Sequence, residues 1–260
     1  MNVLFLTDLE GIAGVTDIDF MDRTGEKYQI ARGYLDHSIN LAVAAAYEAG
    51  ADTVYYIDGH ANRVNVHEES IDPRAVRVSF NEWEVLLAEG KIDCQIELGA
   101  HARAGTVGGF LDHTMNSRKW FCLKINGREM SELSLHALVC SSYGVPIVGC
   151  IGDLAGCEQA KEYVPDIYTG AVKWASERNF ATDYENADEI LQSAVKNALA
   201  NYKSVSFFRL SEPAVVELTY YRTDMCEEAL KKHGDDVERV DARTLRRRVE
   251  RLQKYSLMKF

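Results

Sequence analysis

Three short apolar segments, each ending in a small-residue turn that delivers an acid or a histidine, restrict this chain to few folds. Val3 to Thr7 is an apolar run that stops at Asp8, with Glu10 and Gly11 close behind. Thr53 to Ile57 ends in Asp58-Gly59-His60, and Cys94 to Leu98 runs into Gly99-Ala100-His101. Between the first two, a helical pattern extends from about Lys27 to Glu48 and meets Gly50, a suitable C-cap. This alternation predicts an α/β fold with a mainly parallel sheet flanked by helices. In such sheets ligands bind outside the carboxyl ends of the strands, so the three turns are expected to converge in space.

Downstream, Trp120 to Ile125, Asn126-Gly127 and Arg128 to Met130 read as a β-hairpin insertion, because Asn-Gly supplies both positive-φ positions of a type I′ turn. Helices are expected from Ser131 to about Ser142, from Ala155 to Tyr163 and from Ala187 to Tyr202. Strands are expected at Val145 to Ile151, near Tyr168 to Lys173 and at Ala214 to Tyr221. Asp241 to Met258 reads as a charged terminal helix. The chain divides into a larger α/β region that carries the three strand-end turns, residues 1–180, and a smaller C-terminal α/β portion, residues 181–260, with a single domain as the alternative.

Forty acids against 29 Lys and Arg give a formal charge of −11. A nucleic-acid or anionic-membrane partner requires a basic footprint, so neither is expected. The arginines of residues 243–251 are interleaved with acids and read as a solvated helix face or a subunit contact. No apolar run approaches the roughly 18 residues of a spanning helix, and MNVLFLTDLEG lacks the flanks of a secretory leader. Six cysteines are scattered without a CxxC pair. Together these features predict a cytoplasmic protein with free thiols.

Asp8 and Glu10, one residue apart, place two carboxylates on the same side of an extended segment. Their repulsion favours protonation or an intervening cation, and the competing reading is a solvated turn. His60 and His101 follow strands among small residues that leave room beside the imidazole. Either alone can be a structural, hydrogen-bonded histidine; together with the two acids they suit Zn²⁺, with Mn²⁺, Co²⁺ and Fe²⁺ as competitors. Glu132 is a further ligand candidate or simply an acid favoured by the helix dipole after the cap Ser131. His136 shares its helix face but reads better as a partly exposed histidine. His113 ends a Gly-rich stretch, GTVGGFLDHTM, and could act as nucleophile, base or electrostatic group, or be held by Asp112 or Thr114. No GxGxxG, GxxxxGK[ST] or GxSxG is present.

The segments LTDLEGIAGV, YIDGHANRVN, LGAHARAG and INGREMSELSLHA resemble, in order and spacing, the DppA-type zinc-dependent D-aminopeptidases. The likeness runs from residue 3 to about 175 and fades in the last third. It implies two Zn²⁺ ions per chain held by Asp8, Glu10, His60, His101 and Glu132, with His113 in the place of the catalytic histidine. Around His113 the sequence departs from the family, whose loop is shorter by one residue and more usually carries Pro-Gly and a Ser before the His. The resemblance further implies a ring-shaped, decamer-like homo-oligomer. The expected activity is that of a metal-dependent aminopeptidase or amidase on small peptides, including those with D-residues. Another dinuclear-metal hydrolase, such as a phosphoesterase, and a non-catalytic metal-binding protein are the alternatives.

Overall fold

The computed structural model describes residues 1–253 and residue 260. Strand β1 (Asn2–Thr7) buries every side chain after Asn2, as a central parallel strand covered on both faces must. It leads through a loop to helix α1 (Glu26–Glu48) and then to β2 (Thr53–Asp58) and β3 (Ala75–Arg77). Helix α2 (Phe80–Ala88) precedes β4 (Cys94–Ala100), and a long loop leads to the hairpin of β5 (Trp120–Ile125) and β6 (Arg128–Glu129). Asn126 and Gly127 both take positive φ, 51° and 79°, as a type I′ turn requires. Then come α3 (Glu132–Ser142), β7 (Ile147–Asp153), α4 (Leu154–Tyr163), β8 (Tyr168–Glu177), β9 (Phe180–Asp183) and α5 (Ala187–Ala200). The final part contains β10 (Ala214–Tyr220), α6 (Thr223–His233), β11 (Glu238–Arg239) and β12 (Thr244–Val249).

The main sheet has the order β3-β2-β1-β4-β7-β8-β9, parallel except for the antiparallel edge strand β9. Chain order runs outward from β1 to β3 and then returns across β1 to β4. The crevice at this reversal, between the carboxyl ends of β1 and β4, is the place where such sheets bind ligands. Helices cover both faces. A Cβ added to Gly149 would touch Ala198 of α5, whereas the next residue, Cys150, places its Sγ 4.0 Å from Gly156 O in α4. Adjacent strand residues point to opposite faces, so α4 and α5 lie on opposite sides. Helix α1 packs with α5, and α3 contacts α4.

A second, antiparallel sheet has the order β11-β12-β10-β5-β6. The hairpin is therefore the edge of a sheet completed by C-terminal strands, with Leu218 opposite Leu123 and Leu245. The two sheets interleave in sequence, since β9 and α5 belong to the first layer structure while β5 and β6 belong to the second sheet.

The expected terminal helix over Asp241 to Met258 is overturned: Thr244–Val249 is a strand antiparallel to β10, and residues 254–259 lie outside the described residues. Pairing with β10 buries Leu245 and Val249, pairing with β11 sets Arg246 beside Glu238 at 3.0 Å, and this tertiary gain overrides local propensity. Helices α2 and α6 were not expected. All six cysteines are free. Among the described residues no helix is long and apolar enough to cross a membrane.

Candidate metal centre

Asp8 and Glu10 leave the end of β1 in a loop that crosses the end of β4. The Asp8 N–H donates to Leu98 O at 2.7 Å and that of Gly11 to Gly99 O at 2.8 Å. This crossing requires Gly99, whose φ is +82° and where an added Cβ would collide with the Asp8 carbonyl oxygen. From the other side Lys173 of β8, fully buried, donates to Glu10 O at 3.1 Å and to the carbonyls of Ile12 and Val15. Burial pushes the Lys173 ammonium down to about 8, against the pull of Asp183, Asp153 and Glu10.

His60 sits in a turn fixed by buried Asn65, whose Nδ2 donates to His60 O at 2.7 Å and to Asp58 Oδ1 at 2.8 Å. Its Nδ1 lies 3.0 Å from Asp8 Oδ1 and 2.9 Å from Glu10 Oε2. His101 follows β4; its Nδ1 donates to Ala102 O at 2.9 Å, so Nε2 is the nitrogen that carries the lone pair whenever the ring is neutral. That Nε2 is buried and has no hydrogen-bond partner, yet it faces Asp8 Oδ2 at 3.3 Å and Glu132 Oε1 at 3.7 Å. Glu132 stands in the first turn of α3, behind a cap in which Ser131 and Ser134 exchange hydrogen bonds, and it accepts the Met115 N–H at 2.6 Å.

Two triads therefore share Asp8: Asp8, Glu10 and His60 on one side, Asp8, His101 and Glu132 on the other, each with ligand atoms within 4.8 Å of one another. The charges in each are interdependent. Burial would raise the Asp8 carboxyl, but hydrogen bonds and charge from His101 and His60 hold it well below the usual carboxylate range. Burial disfavours charge on both imidazoles, yet Glu10 and Asp8 lift His60, and Asp8 and Glu132 lift His101, well above the ordinary histidine value. Three carboxylates around two imidazoles call for positive charge at their centre. Protons supply it in the metal-free protein, and a lone nitrogen aimed between two carboxylates is the arrangement that fits a divalent ion better.

His113 enters from a loop anchored at Phe110, whose N–H donates to Asp153 Oδ2 at 2.9 Å. Neither Asp112 nor Thr114 holds its ring: Asp112 pairs with Arg178 at 2.8 Å, and Thr114 Oγ1 donates to Met130 O. Instead His113 Nδ1 donates to Leu111 O at 2.9 Å, and Nε2 faces Glu132 Oε1 at 3.6 Å and Glu10 Oε1 at 4.0 Å. Leu111 and Met115, on either side, take left-handed φ of 48° and 63°, strain of the kind that persists where the surroundings impose it. His113 also forms a ligand-like group with Glu10 and His101.

His136 is not partly exposed as its sequence context suggested. It is 2% exposed, because α3 packs its whole circumference except the ends, and its Nδ1 meets Glu97 Oε2 at 3.1 Å. Glu97, Lys173 and the loop anchor Asp153 were not singled out from the sequence. The available signals were the polar residues Gln95 and Glu97 within an apolar strand, and a lysine within another.

Two cavities meet at the cluster. An inner one of about 250 Å³ is lined by the five candidate ligands, His113, Glu97 and His136, with Phe80, Leu98 and Leu133 among its apolar walls. An outer one of about 860 Å³ opens past His60 and His113 toward Arg23, Arg118 and Arg178.

A model of the D-aminopeptidase family of peptidases matches residues 1–260. A D-aminopeptidase of Bacillus subtilis (strain 168) is 32% identical over 184 residues, which cover 69% of this chain and 66% of that protein, just under two thirds of the curated relative. The solved structure of the Zn-dependent D-aminopeptidase DppA from Bacillus subtilis, described as a self-compartmentalizing protease, is similar with a TM-score of 0.91 and 25% identity. That likeness covers 99% of this chain and 95% of the other. It continues through the last third, where the sequence motifs fade, so the divergence there is one of side chains on a retained fold. Matched along its whole length, the chain belongs to the D-aminopeptidase family.

Proposed function

We propose that this protein is a zinc-dependent aminopeptidase that removes the first residue of short peptides, those with D-residues included, at a centre of two Zn²⁺ ions per chain. Asp8, Glu10 and His60 would hold one ion and Asp8, His101 and Glu132 the other. The observation that carries this reading is Asp8 itself, whose two oxygens serve separate triads. When bound, such a pair of ions supplies Lewis acidity and lowers the pKa of bound water.

The chain's own residues supply the rest. His113, with its Nδ1 proton committed to Leu111 O, keeps the Nε2 lone pair for attack on a carbonyl or for accepting a proton from water. Both roles need the same neutral tautomer. Its stacking on His101 and the anchor at Phe110 fix that nitrogen beside the two triads that share Asp8, within reach of Glu10 and His101. Glu132 and Glu10 lie close enough to stabilise an imidazolium formed there. Arg23 and Arg118 in the outer cavity, which also contains Asp19 and Asp22, can accept the peptide's carboxylate end.

The related structure's self-compartmentalizing character supports a ring-shaped homo-oligomer for this chain as well. Val107, 98% exposed on the loop before His113, and Trp174 and Phe180 on the paired strands β8 and β9 are apolar surfaces suited to subunit contacts. The net charge of −11 and the free cysteines support a cytoplasmic setting without nucleic-acid or membrane partners.

Elemental analysis of purified protein combined with assays on D- and L-dipeptides and on a phosphomonoester tests the proposal. The expected result is two zinc ions per chain and amide hydrolysis. Phosphomonoester turnover without amide hydrolysis, or a metal-free active enzyme, would overturn it.

A further inference from the structure

The inner cavity ends in a pair of polar groups with no part in holding metal or attacking the peptide. Glu97 lines it from β4 and is 5% exposed. Strand alternation puts Gln95 on the same face, and Gln95 Nε2 donates to Glu97 Oε1 at 2.7 Å. On the other oxygen, Glu97 Oε2 meets Nδ1 of His136, which lines the same cavity one helical turn beyond Glu132. Trp83 Nε1 in turn donates to Gln95 Oε1 at 2.8 Å. The carboxylate is thus fixed from behind by a buried chain of donors on three separate elements. Gln95 and His136 occupy one acceptor site on each oxygen, and a carboxylate offers about four. A buried carboxylate beside apolar walls is costly unless further donors reach it. The open side of Glu97 is the cavity shared with the cluster.

We propose that this cavity is the subsite for the side chain of the residue being removed, and that Glu97, positioned by Gln95 and His136, selects side chains that donate hydrogen bonds. Amine- and amide-tipped residues are preferred over aliphatic ones, and acidic ones are excluded. This rests on the aminopeptidase reading, since it assumes that the substrate's first residue is bound beside Asp8, His101 and Glu132. An aliphatic side chain would strip water from Glu97 and return no donor. Sites built on a buried hydrogen-bonding group reject such analogues far more strongly than an apolar pocket rejects a missing methylene. An acidic tip would meet the like charge of Glu97, while the cavity's guanidinium, Arg63, is stacked over the Phe80 ring at 4.4 Å.

Calorimetric titration of the zinc-loaded protein with the amides of lysine, asparagine, leucine and glutamic acid, in both enantiomers, tests the subsite without requiring turnover. Hydrolysis of the matching dipeptides is measured in parallel. The lysine and asparagine compounds should bind at least about tenfold more tightly than leucine amide, with glutamic acid amide weakest. Glu97→Leu should invert the order of lysine and leucine at unchanged zinc content. Glu97→Gln keeps the shape and one acceptor, so it serves where the leucine variant does not fold; it should weaken lysine amide at least about tenfold. Equal binding of leucine and lysine amides by the wild type, or an unaltered lysine preference in Glu97→Gln, overturns the subsite whether or not peptides are cleaved. Donor-selective binding without peptide hydrolysis would support the subsite and overturn the aminopeptidase reading instead.

Discussion

The imidazole of His113 stacks on that of His101, with ring centroids 4.1 Å apart and planes 12° from parallel. One ring therefore belongs to a candidate metal triad while its neighbour presents a lone pair beside it. The stack also fixes the plane of His113 without using either of its nitrogens. An imidazole held in this way is oriented for chemistry at negligible entropic cost when substrate binds.

His113→Ala should leave zinc content near wild type and lower kcat by at least about a hundredfold, the low end for a lost acid–base group. Because His113 also lies within ligand distance of Glu10 and His101, the metal assay carries the discrimination. Loss of one ion in this variant would make His113 a ligand, and near-normal turnover would make it a bystander.

Asp8→Asn should lower occupancy of both metal positions, since one oxygen serves each triad. The pH dependence of binding follows from the raised imidazoles. His60 and His101 hold protons above the ordinary histidine value, and zinc must displace those protons. Apparent zinc affinity should thus fall as pH falls, about tenfold per pH unit for each displaced proton, below the raised values. Chelator competition across the neutral range measures this. A flat profile would mean that the two imidazoles carry no displaceable protons, and full occupancy of both positions in Asp8→Asn would remove Asp8 as the shared ligand.

Gly99→Ala should disrupt the centre without touching a ligand. The left-handed φ of +82° alone costs an L-residue about 1–2 kcal/mol, and the added methyl would displace the Asp8 carbonyl. Denaturant unfolding should register a loss of at least that size, and zinc binding should weaken in parallel. Wild-type stability in this variant would show that the Asp8–Glu10 loop can be re-routed.

The parts of the centre that were legible in the sequence are those written locally. Asp8, His60 and His101 follow apolar strands within a few residues, and strand topology alone brings such ends together. The capping box of α2, Ser79 with Glu82, was equally local and open to being read. The arginine-rich terminus was misread because its strand character comes from β10, whose Leu218 and Ala214 lie far earlier in the chain and supply partners for Leu245 and Val249. The Glu97–His136 pair was hidden for the same reason. It joins β4 to α3 across 39 residues, and nothing next to either residue announces the other.

Lys173 offers the strictest test of how the first ligand loop is held. Its ammonium is fully buried and gives its three protons to the carbonyls of Glu10, Ile12 and Val15, while lying 5.1 Å from the Phe110 ring centroid. It therefore ties the segment bearing Glu10 to the base of the loop bearing His113. In Lys173→Met three carbonyls lose their donor, and each buried unsatisfied group costs about 1–3 kcal/mol. Unfolding free energy should fall by about 3 kcal/mol or more. If the folded fraction is then restored by a stabilising osmolyte, zinc affinity on the Glu10 side should still be weakened, because Glu10 has lost its backbone anchor. A stable Lys173→Met protein with normal zinc binding would show that residues 8–15 hold their shape without the ammonium. The crossing at Gly99 and the bond from the Gly14 N–H to Asp183 Oδ2, 2.7 Å, would then carry the loop.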